Sequence, residues 1–369
     1  MARVLITGGA GFIGSHAANA LLAAGYQVRL LDNLSPQVHG AQRNRPSYLN
    51  KDAELVIGDV TDTVAIDRAL RGADMVLHLA SSVGVGQSMY DIASYVSTNE
   101  LGTAVLLEAI SKRPVERLVV ASSMSIYGEG LGRSADGTAV APAERSFNQL
   151  KLAQWELKDD KGGLLDPVPT PETKQPSLSS IYALNKYAQE RMCLITGNAY
   201  GIPTLALRFF NVFGPHQALS NPYTGVLAIF AARLLNNRPP LVFEDGLQRR
   251  DFVHVHDVAR ACLLALESNH SNDVFNVGSG QSRTIQSVAI DLARVMGRPT
   301  TPEITGKYRA GDIRHCFADI NKSRALLGFE PRVAFDDGLD ELAGYLTDQI
   351  AEDRAENATQ ELLRRGLVA

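Results

Sequence analysis

Cysteine is scarce in this chain, and its distribution is chiefly useful for what it excludes. Cys193, Cys262 and Cys316 are odd in number and far apart, so neither a disulfide framework nor a C-x-x-C metal knuckle can be drawn from them. An excess of basic residues is missing as well. With 36 Lys and Arg against 40 Asp and Glu the net charge is -4, which provides no basic field for nucleic acid or an anionic membrane. No apolar run reaches the roughly 18 residues that span a bilayer. Met1-Ala2-Arg3 leads straight into an apolar strand pattern, without a basic leader or a long apolar core. Internal repeats and low-complexity tracts are absent too. These absences imply a reducing, cytoplasmic setting, no metal centre, and no nucleic-acid or membrane partner. An anionic ligand must meet individual arginines. With 45% hydrophobic and 21% charged residues over 369 positions, there is material for one large core or two packed together.

What is present alternates between two kinds of segment. "RVLITGG", "QVRLLD", "AELVIGDV", "DMVLHLAS", "RLVVASS" and "TLALRFFNV" are short apolar runs bounded by turn residues, whereas "FIGSHAANALLAAGY" and "SYVSTNELGTAVLLEAIS" carry apolar residues at helical spacing. This order predicts right-handed βαβ crossovers and an α/β fold: a Rossmann-type, doubly wound, mainly parallel sheet covered on both faces. Beyond about Asn211 the alternation loosens, and a smaller, interleaved α/β second domain is expected. The boundaries read as 1–211 plus about 247–280 for the first domain, with an insert at about 129–178, and 212–246 plus 281–369 for the second. The proline-rich insert, which contains the only tryptophan, Trp155, predicts an extended, ordered strap over the ligand pocket or at a dimer contact. The charged tail "QIAEDRAENATQELLRRG" reads as a solvated helix.

"ITGGAGFIG" joins the first strand to the first helix, with Gly8, Gly11 and Gly14 at G-x-x-G-x-x-G spacing. Glycine is needed where the backbone turns tightly and a pyrophosphate approaches the free amides of a helix N-terminus. Asp32 ends the next strand, where a carboxylate accepts from the adenosine ribose hydroxyls and repels a 2′-phosphate, so NAD is expected over NADP. Arg43 and Arg45, further on, would favour NADP if they reached that ribose. Asp59 either faces the adenine amino group or simply starts a turn.

In "SSIYALNK", Tyr182 and Lys186 lie four residues apart on one helix face. A lysine ammonium one turn away favours phenolate, which would bring a tyrosine, ordinarily near pKa 10, within reach of base chemistry at neutral pH. Ser123, ending "RLVVASS", is placed to hydrogen-bond the same oxygen.

With "TGGAGFIG", "GDVTD", "STNELGT", "ASSMSIYG", "YALNK", "RFFNVFGP", "RRDFVHVHDVARA" and "YRAGDIRHCFAD" in order, the chain resembles the extended short-chain dehydrogenase/reductases over about residues 2–345. Within them it is similar to the NAD-dependent nucleotide-sugar epimerases and dehydratases, in the 4-epimerase branch. The resemblance implies Tyr182 as base, Lys186 as its electrostatic partner and ribose ligand, and Ser123 as hydrogen-bond donor. It implies NAD contacts from Gly8, Gly11, Phe12, Ile13, Gly14, Asp32, Asn33, Asp59, Val60, Leu79, Ala80, Ser81, Asn99 and Ser122. It also implies that Ser123, Ser125, Asn211 and Cys316 meet the substrate, with Arg250 and Arg309 on its phosphates. A homodimer built from paired helices is implied as well.

Dehydratases of this family place an Asp-Glu pair after the catalytic hydroxyl; here Met124 and Ser125 stand there, which disfavours elimination. The resemblance then implies reversible oxidation at C4 of a dTDP- or UDP-hexose. A dTDP-L-rhamnose-like 6-deoxyhexose ranks first and UDP-glucose or UDP-galactose next. Cys316 leaves room for a differently shaped hexose, or is only a small buried hydrophobe. His216 stands where uronate-acting relatives carry an arginine. The rival readings are a 4-ketosugar reductase, a 4,6-dehydratase and a non-catalytic NAD(P)-binding regulator.

Overall fold

The six apolar runs and a seventh strand not read from the sequence, Asp273–Val277, come together as one parallel sheet. The computed structural model describes residues 1–41, 43–223, 225–309 and 311–369. Its central strands are β1 (Arg3–Thr7), β2 (Gln27–Asp32), β3 (Glu54–Ile57), β4 (Met75–His78), β5 (Arg117–Ser123), β6 (Thr204–Phe209) and β7 (Asp273–Val277). They lie in the order β7-β6-β5-β4-β1-β2-β3, and every neighbouring pair is parallel. All seven residues of β5 and all six of β6 are buried, as a central parallel strand covered on both faces requires. On one face Ala17 and Leu21 of the first helix (Phe12–Ala23) pack with Val258, Ala261 and Cys262 of the helix Val255–Glu267. On the other, Ile66, Leu106, Ile110 and Cys193 close a second apolar layer.

The strand order reverses between β1 and β4. Their carboxyl ends feed loops to opposite sides, which opens a crevice above the sheet.

Strands Asn211–Phe213, Arg249–His254, Ser282–Thr284 and His315–Cys316 form a smaller mixed sheet. The helices Val226–Leu235, Ile285–Val295 and Phe335–Leu346 enclose a separate core around Phe230, Leu292 and Leu339. The proline-rich insert differs from the expected strap. It forms a three-stranded antiparallel sheet of Ala139–Val140, Leu131–Arg133 and Asp166–Val168, with a short helix at Phe147–Lys151. Gly132 makes this possible, since a Cβ there would lie 2.7 Å from Leu165 Cβ.

The tail is also not the solvated helix that its charge suggests. Ala358 and Leu362 of the helix Ala355–Arg364 are buried, and so is Val368. The final residue exchanges backbone hydrogen bonds with Tyr308, at 2.9 and 3.1 Å, and Arg365 lies over the Tyr90 ring at 4.3 Å. An amphipathic stripe of two or three apolar residues is easily hidden among charges, yet it anchors the chain end. Leu362→Ala removes burial worth about 2 kcal/mol or more. It is expected to speed tryptic cleavage after Arg354 by about tenfold or more while the main core stays folded; limited proteolysis read by mass spectrometry checks this.

Candidate active site

The crevice above β1 and β4 is a cavity of about 730 Å³. At one end the glycine turn forms its floor. Gly8 has φ +67°, and a Cβ there would sit 2.9 Å from the Ala80 backbone; a Cβ on Gly14 would lie 2.7 Å from Gly9 Cα. Only hydrogen fits between these chain segments. No side chain caps the first helix, so its leading N–H groups are left for an anion. Phe12, Ile13 and Gly11 line the cavity beside them. The donor set and the missing side-chain volume fit the pyrophosphate of a dinucleotide.

Asp32 accepts from the N–H groups of Ala10 (3.0 Å) and Leu34 (2.9 Å) and faces the cavity. His39 lies 3.7 Å from it and is held neutral by burial, against the pull of the carboxylate. Asn33 donates to Asp59 at 2.8 Å. Burial alone would raise the Asp59 carboxyl, but hydrogen bonds from Thr61 and Asn33 outweigh it and hold it below its usual range. Arg45 is spent on the carbonyls of Asn50 and Ala53. Arg43 instead lines a smaller cavity with Asn33 and Asp59. Val60, Leu79, Ala80, Ser81 and Ser122 complete the wall. Asn99 does not reach the cavity. Fully buried in a π-helical turn (Ser97–Leu101), it accepts from Ser82 N–H at 2.7 Å and donates to Ser82 C=O at 3.1 Å, clamping the loop after β4.

Tyr182, Lys186 and Ser123 meet in the middle of the cavity. The Ser180 hydroxyl caps the helix Ile181–Tyr200 by accepting from Ala183 N–H, and Ser88 Oγ accepts from Tyr182 N–H at 3.0 Å. These contacts fix where the tyrosine starts. The Ser123 hydroxyl bonds the Tyr182 oxygen and is itself held by Ser125, whose hydroxyl lies 2.9 Å away. The expected lowering of the phenol by Lys186 is not what the protein alone provides. Burial pushes Tyr182 up to about 12, offset only in part by Ser123. Burial likewise pushes Lys186 down to about 8, against the pull of Cys193 and Glu190. Desolvation is the larger cause at both groups, and at Tyr182 only the Ser123 hydrogen bond opposes it. The resting pair is therefore a phenol beside a readily deprotonated amine, and further positive charge must arrive with the ligand before phenolate forms near neutral pH.

Sequence reasoning missed the residues behind this trio. Glu190 accepts from Ser122 Oγ (2.7 Å) and pairs in two-pronged fashion with Arg208 (2.7 and 2.9 Å), which also donates to the Tyr127 hydroxyl. This buried pair pins the end of β5 to the tyrosine helix. The signal was present: Glu190 lies one turn beyond Lys186 on the same helix face.

Asn211 lines the far end of the cavity, and its buried Oδ1 has no partner. Three expected substrate residues are not brought there. Arg250 donates to the carbonyls of Ile313 and Arg314, and Arg309 pairs with Asp312 at 2.7 Å. Both guanidiniums hold their own loop. Cys316 is buried with its thiol 3.9 Å from the Thr170 hydroxyl. The small side chain thus makes room for the insert and not for a hexose. His216 stacks between Tyr48 (4.5 Å) and His16 (4.8 Å). Nearby, ligating atoms of His254, His256 and Glu341 lie within 4.8 Å of one another. However, His254 Nδ1 accepts from His256 N–H at 3.4 Å, which puts the proton on Nε2, a buried nitrogen 3.6 Å from Glu341 and without a hydrogen-bond partner, so it offers no lone pair to a metal.

The insert is tied to this loop by charge. Arg314, fully buried, bonds Glu156, Glu244 and Asp245, while Arg145 bonds Glu129, Glu244 and the carbonyl of Asp312.

Comparison with known proteins agrees with this geometry. The model of the NAD dependent epimerase/dehydratase family matches residues 4–153 and 163–278; the gap falls inside the insert. A dTDP-L-rhamnose 4-epimerase of Burkholderia thailandensis is 37% identical over 353 residues, covering 94% of this chain and 96% of the relative. The structure of a UDP-glucose 4-epimerase from Thermotoga maritima with UDP-glucose aligns with TM-score 0.76 at 32% identity, covering 93% of this chain and 98% of that one. The NAD complex of the Thermus thermophilus UDP-glucose 4-epimerase aligns with TM-score 0.75 at 32% identity, covering 94% and 100%.

Glu244 serves two buried guanidiniums, at 2.8 and 2.9 Å. Glu244→Gln is expected to cost about 1.5–3 kcal/mol, the range for a hydrogen bond to a charged group. A lower urea midpoint and faster proteolysis within residues 134–165 would report it.

Proposed function

The chain belongs to the NAD-dependent epimerase/dehydratase family, and from that premise we propose that it is a nucleotide-sugar 4-epimerase, an isomerase acting on a dTDP- or UDP-hexose. One observation carries the reading: Tyr182, Lys186 and Ser123 stand together inside a single cavity whose opposite ends are the glycine turn and Asn211. When bound there, NAD supplies a hydride acceptor at its nicotinamide and returns the hydride after the sugar has turned. The protein's own part is proton handling and positioning. Tyr182 Oη takes the proton of the C4 hydroxyl as the carbon is oxidised and gives it back on reduction. Ser123 holds the same oxygen, and the Lys186 ammonium stabilises the phenolate.

Two features favour epimerisation over its neighbours. Met124 lines the cavity beside Ser123; a thioether neither gives nor takes a proton, so removal of water from C5 and C6 lacks its acid and base. The glycine-turn end is also roofed, because Gln37 Nε2 donates to Gln87 at 3.0 Å and to Asn221 at 3.2 Å. A cofactor held under that roof suits a reaction without net redox. For the sugar we favour a dTDP-6-deoxyhexose of the L-rhamnose type, in line with the Burkholderia relative, ahead of UDP-glucose or UDP-galactose. His216 stacks on Tyr48 and His16, so the position where uronate-acting relatives carry an arginine offers no guanidinium to a uronate carboxylate. Arg250 and Arg309 are assigned to the substrate diphosphate, for which they must exchange their loop carbonyl and Asp312 partners for phosphate oxygens, a match to guanidinium geometry.

Purified protein with its own NAD is expected to interconvert a C4 pair within a panel of dTDP- and UDP-hexoses followed by NMR. A stoichiometric need for added NADH would instead identify a ketoreductase. Tyr182→Phe should lose at least about 100-fold in kcat.

We also propose a homodimer. Ile92, Val96 and Leu101 on one helical segment and Leu184 and Ile195 on the next are all more than a third exposed, an apolar stripe that a second copy would cover. Sedimentation velocity is expected to give twice the chain mass, and the chain mass alone for Val96→Glu/Leu184→Glu.

A further inference from the structure

Beneath the Tyr–Lys pair lies a buried polar network that the reaction scheme does not use. Lys186 Nζ donates to Gln189 Oε1 at 2.9 Å, and among the described residues this is the acceptor it reaches. Gln189 Nε2 in turn donates to Thr103 Oγ1 at 2.9 Å and to the Ala80 carbonyl at 3.3 Å, and it also lies 3.3 Å from His78 Nε2. Thr103 Oγ1 also contacts His78 Nε2 at 2.9 Å, and His78 Nδ1 contacts Thr7 Oγ1 at 2.6 Å. Gln189, Thr103, His78 and Thr7 are all at most 1% exposed.

Counting protons fixes the direction of the short contacts in this chain, and leaves the longer approach of Gln189 Nε2 to His78 Nε2 as a contact between two donors. Thr103 gives its single hydroxyl proton to the Asn99 carbonyl at 2.6 Å, so toward both Gln189 and His78 it must accept. His78 therefore carries its proton on Nε2, and its Nδ1 accepts from Thr7 O–H. Burial keeps the ring neutral, its pKa pushed down to about 3, so the tautomer is constant across the working pH range. With Thr103 and Ala80 both acceptors, the Gln189 amide has one allowed orientation: NH₂ toward them, oxygen toward Lys186. A flipped amide would set an N–H against an ammonium and leave two buried acceptors short.

We propose that Gln189, oriented by the His78–Thr103 pair, is a positioning residue that holds Lys186 as an ammonium aimed at the Tyr182 side of the cavity. This rests on the roles given to Tyr182 and Lys186 above. A buried ammonium needs acceptors to stay charged, and a neutral amide oxygen provides one without a counter-charge that would also oppose phenolate. The titratable groups around Lys186 do not do this directly. Tyr182 and Cys193 on its own helix are protonated through burial, Glu190 is committed to Arg208 and Ser122, and His78 on β4 is neutral. Gln189 thereby keeps the lysine charged while its proton donors stay pinned to the sheet.

The test uses the NAD-loaded protein and two readouts. Gln189→Met preserves volume and removes the acceptor. The Lys186 titration, followed by 13C-ε lysine NMR and assigned with Lys186→Met, is expected to fall by about one unit. Loss of ammonium weakens phenolate, so the acid limb of kcat should move to higher pH by a similar amount, with kcat at pH 7 down about tenfold and KM within twofold. Thr103→Val should reproduce the shift, and Thr103→Ser, which keeps the hydroxyl, should behave as wild type. Superimposable Lys186 titrations in wild type and Gln189→Met would overturn the proposal, and so would a fall in kcat with both titrations unmoved. If Gln189→Met does not fold, Thr103→Val carries the same two readouts. If no sugar is turned over, the NMR titration still decides the role of Gln189 and the failure belongs to the assigned function.

Discussion

Desolvation at the carboxyl end of β5 governs this molecule. A phenol and an ammonium are withdrawn from water one helical turn apart, and burial moves both toward neutrality, the tyrosine to about 12 and the lysine to about 8. Left alone, that environment disarms the pair. It is useful only if positive charge enters the cavity, because in an enclosed site a charge within about 4–6 Å shifts a neighbour by one to three units. A dinucleotide whose oxidised ring is cationic supplies such a charge when the base is needed and withdraws it once reduced. The resting enzyme thus keeps its base protonated, and loading arms it.

Much of that arrangement was legible in the sequence, for a local reason. Gly8, Gly14, Asp32, Tyr182 and Lys186 act through fixed backbone spacing, so a turn, a strand end and one helix face place them without knowledge of the rest of the fold. Ser123 was legible because it ends a strand of the same sheet. What escaped depends on long-range packing. The resting partners of Arg250 and Arg309 were not legible: the folded loop offers them carbonyls and Asp312 in place of the expected diphosphate. Cys316 was read as a gap beside a sugar, and only the fold shows Thr170 of the insert filling it. The tail was judged by its charges, although two or three buried apolar residues decide where a helix docks. Asn99 was expected beside the cofactor, whereas it lies outside the cavity lining and bonds the backbone of Ser82, which does line it.

The insert shows how charge density can specify a contact without strengthening it. Arg314 and Arg145 share Glu244 and reach five further partners, Glu129, Glu156, Asp245 and the carbonyls of Trp155 and Asp312. Buried ion pairs gain little net stability over apolar packing, since desolvation offsets attraction. Their geometry, however, admits few alternatives. Here that selectivity is spent on the segment 309–316, which carries Arg309 and lies against Arg250. The loop that, on the proposed function, would exchange internal partners for phosphate is held in one register by residues that do not line the cavity.

Inverting one carbon demands opposite mechanical properties from the two ends of the cavity. The proton and hydride partners must be the same before and after the sugar turns, so the Tyr182 end has to be stiff. It is: Glu190 with Arg208, Asn99 with Ser82, and Gln189 with Thr103 tie every catalytic element to the parallel sheet through buried, fully directed hydrogen bonds. The sugar end has to admit both faces of a ketone. Its wall includes irregular backbone at Gln217, Ala218, Asn221 and Tyr223 and a positive φ at Gly225, and Asn211 and Gln217 present unpartnered polar atoms. Unpaired acceptors cost stability in an empty site, and they can bond a ligand in more than one orientation. A dehydrogenase needs only the stiff end; the proposed epimerisation adds the demand that the opposite wall accept one sugar in two orientations, which unpaired acceptors on irregular backbone suit.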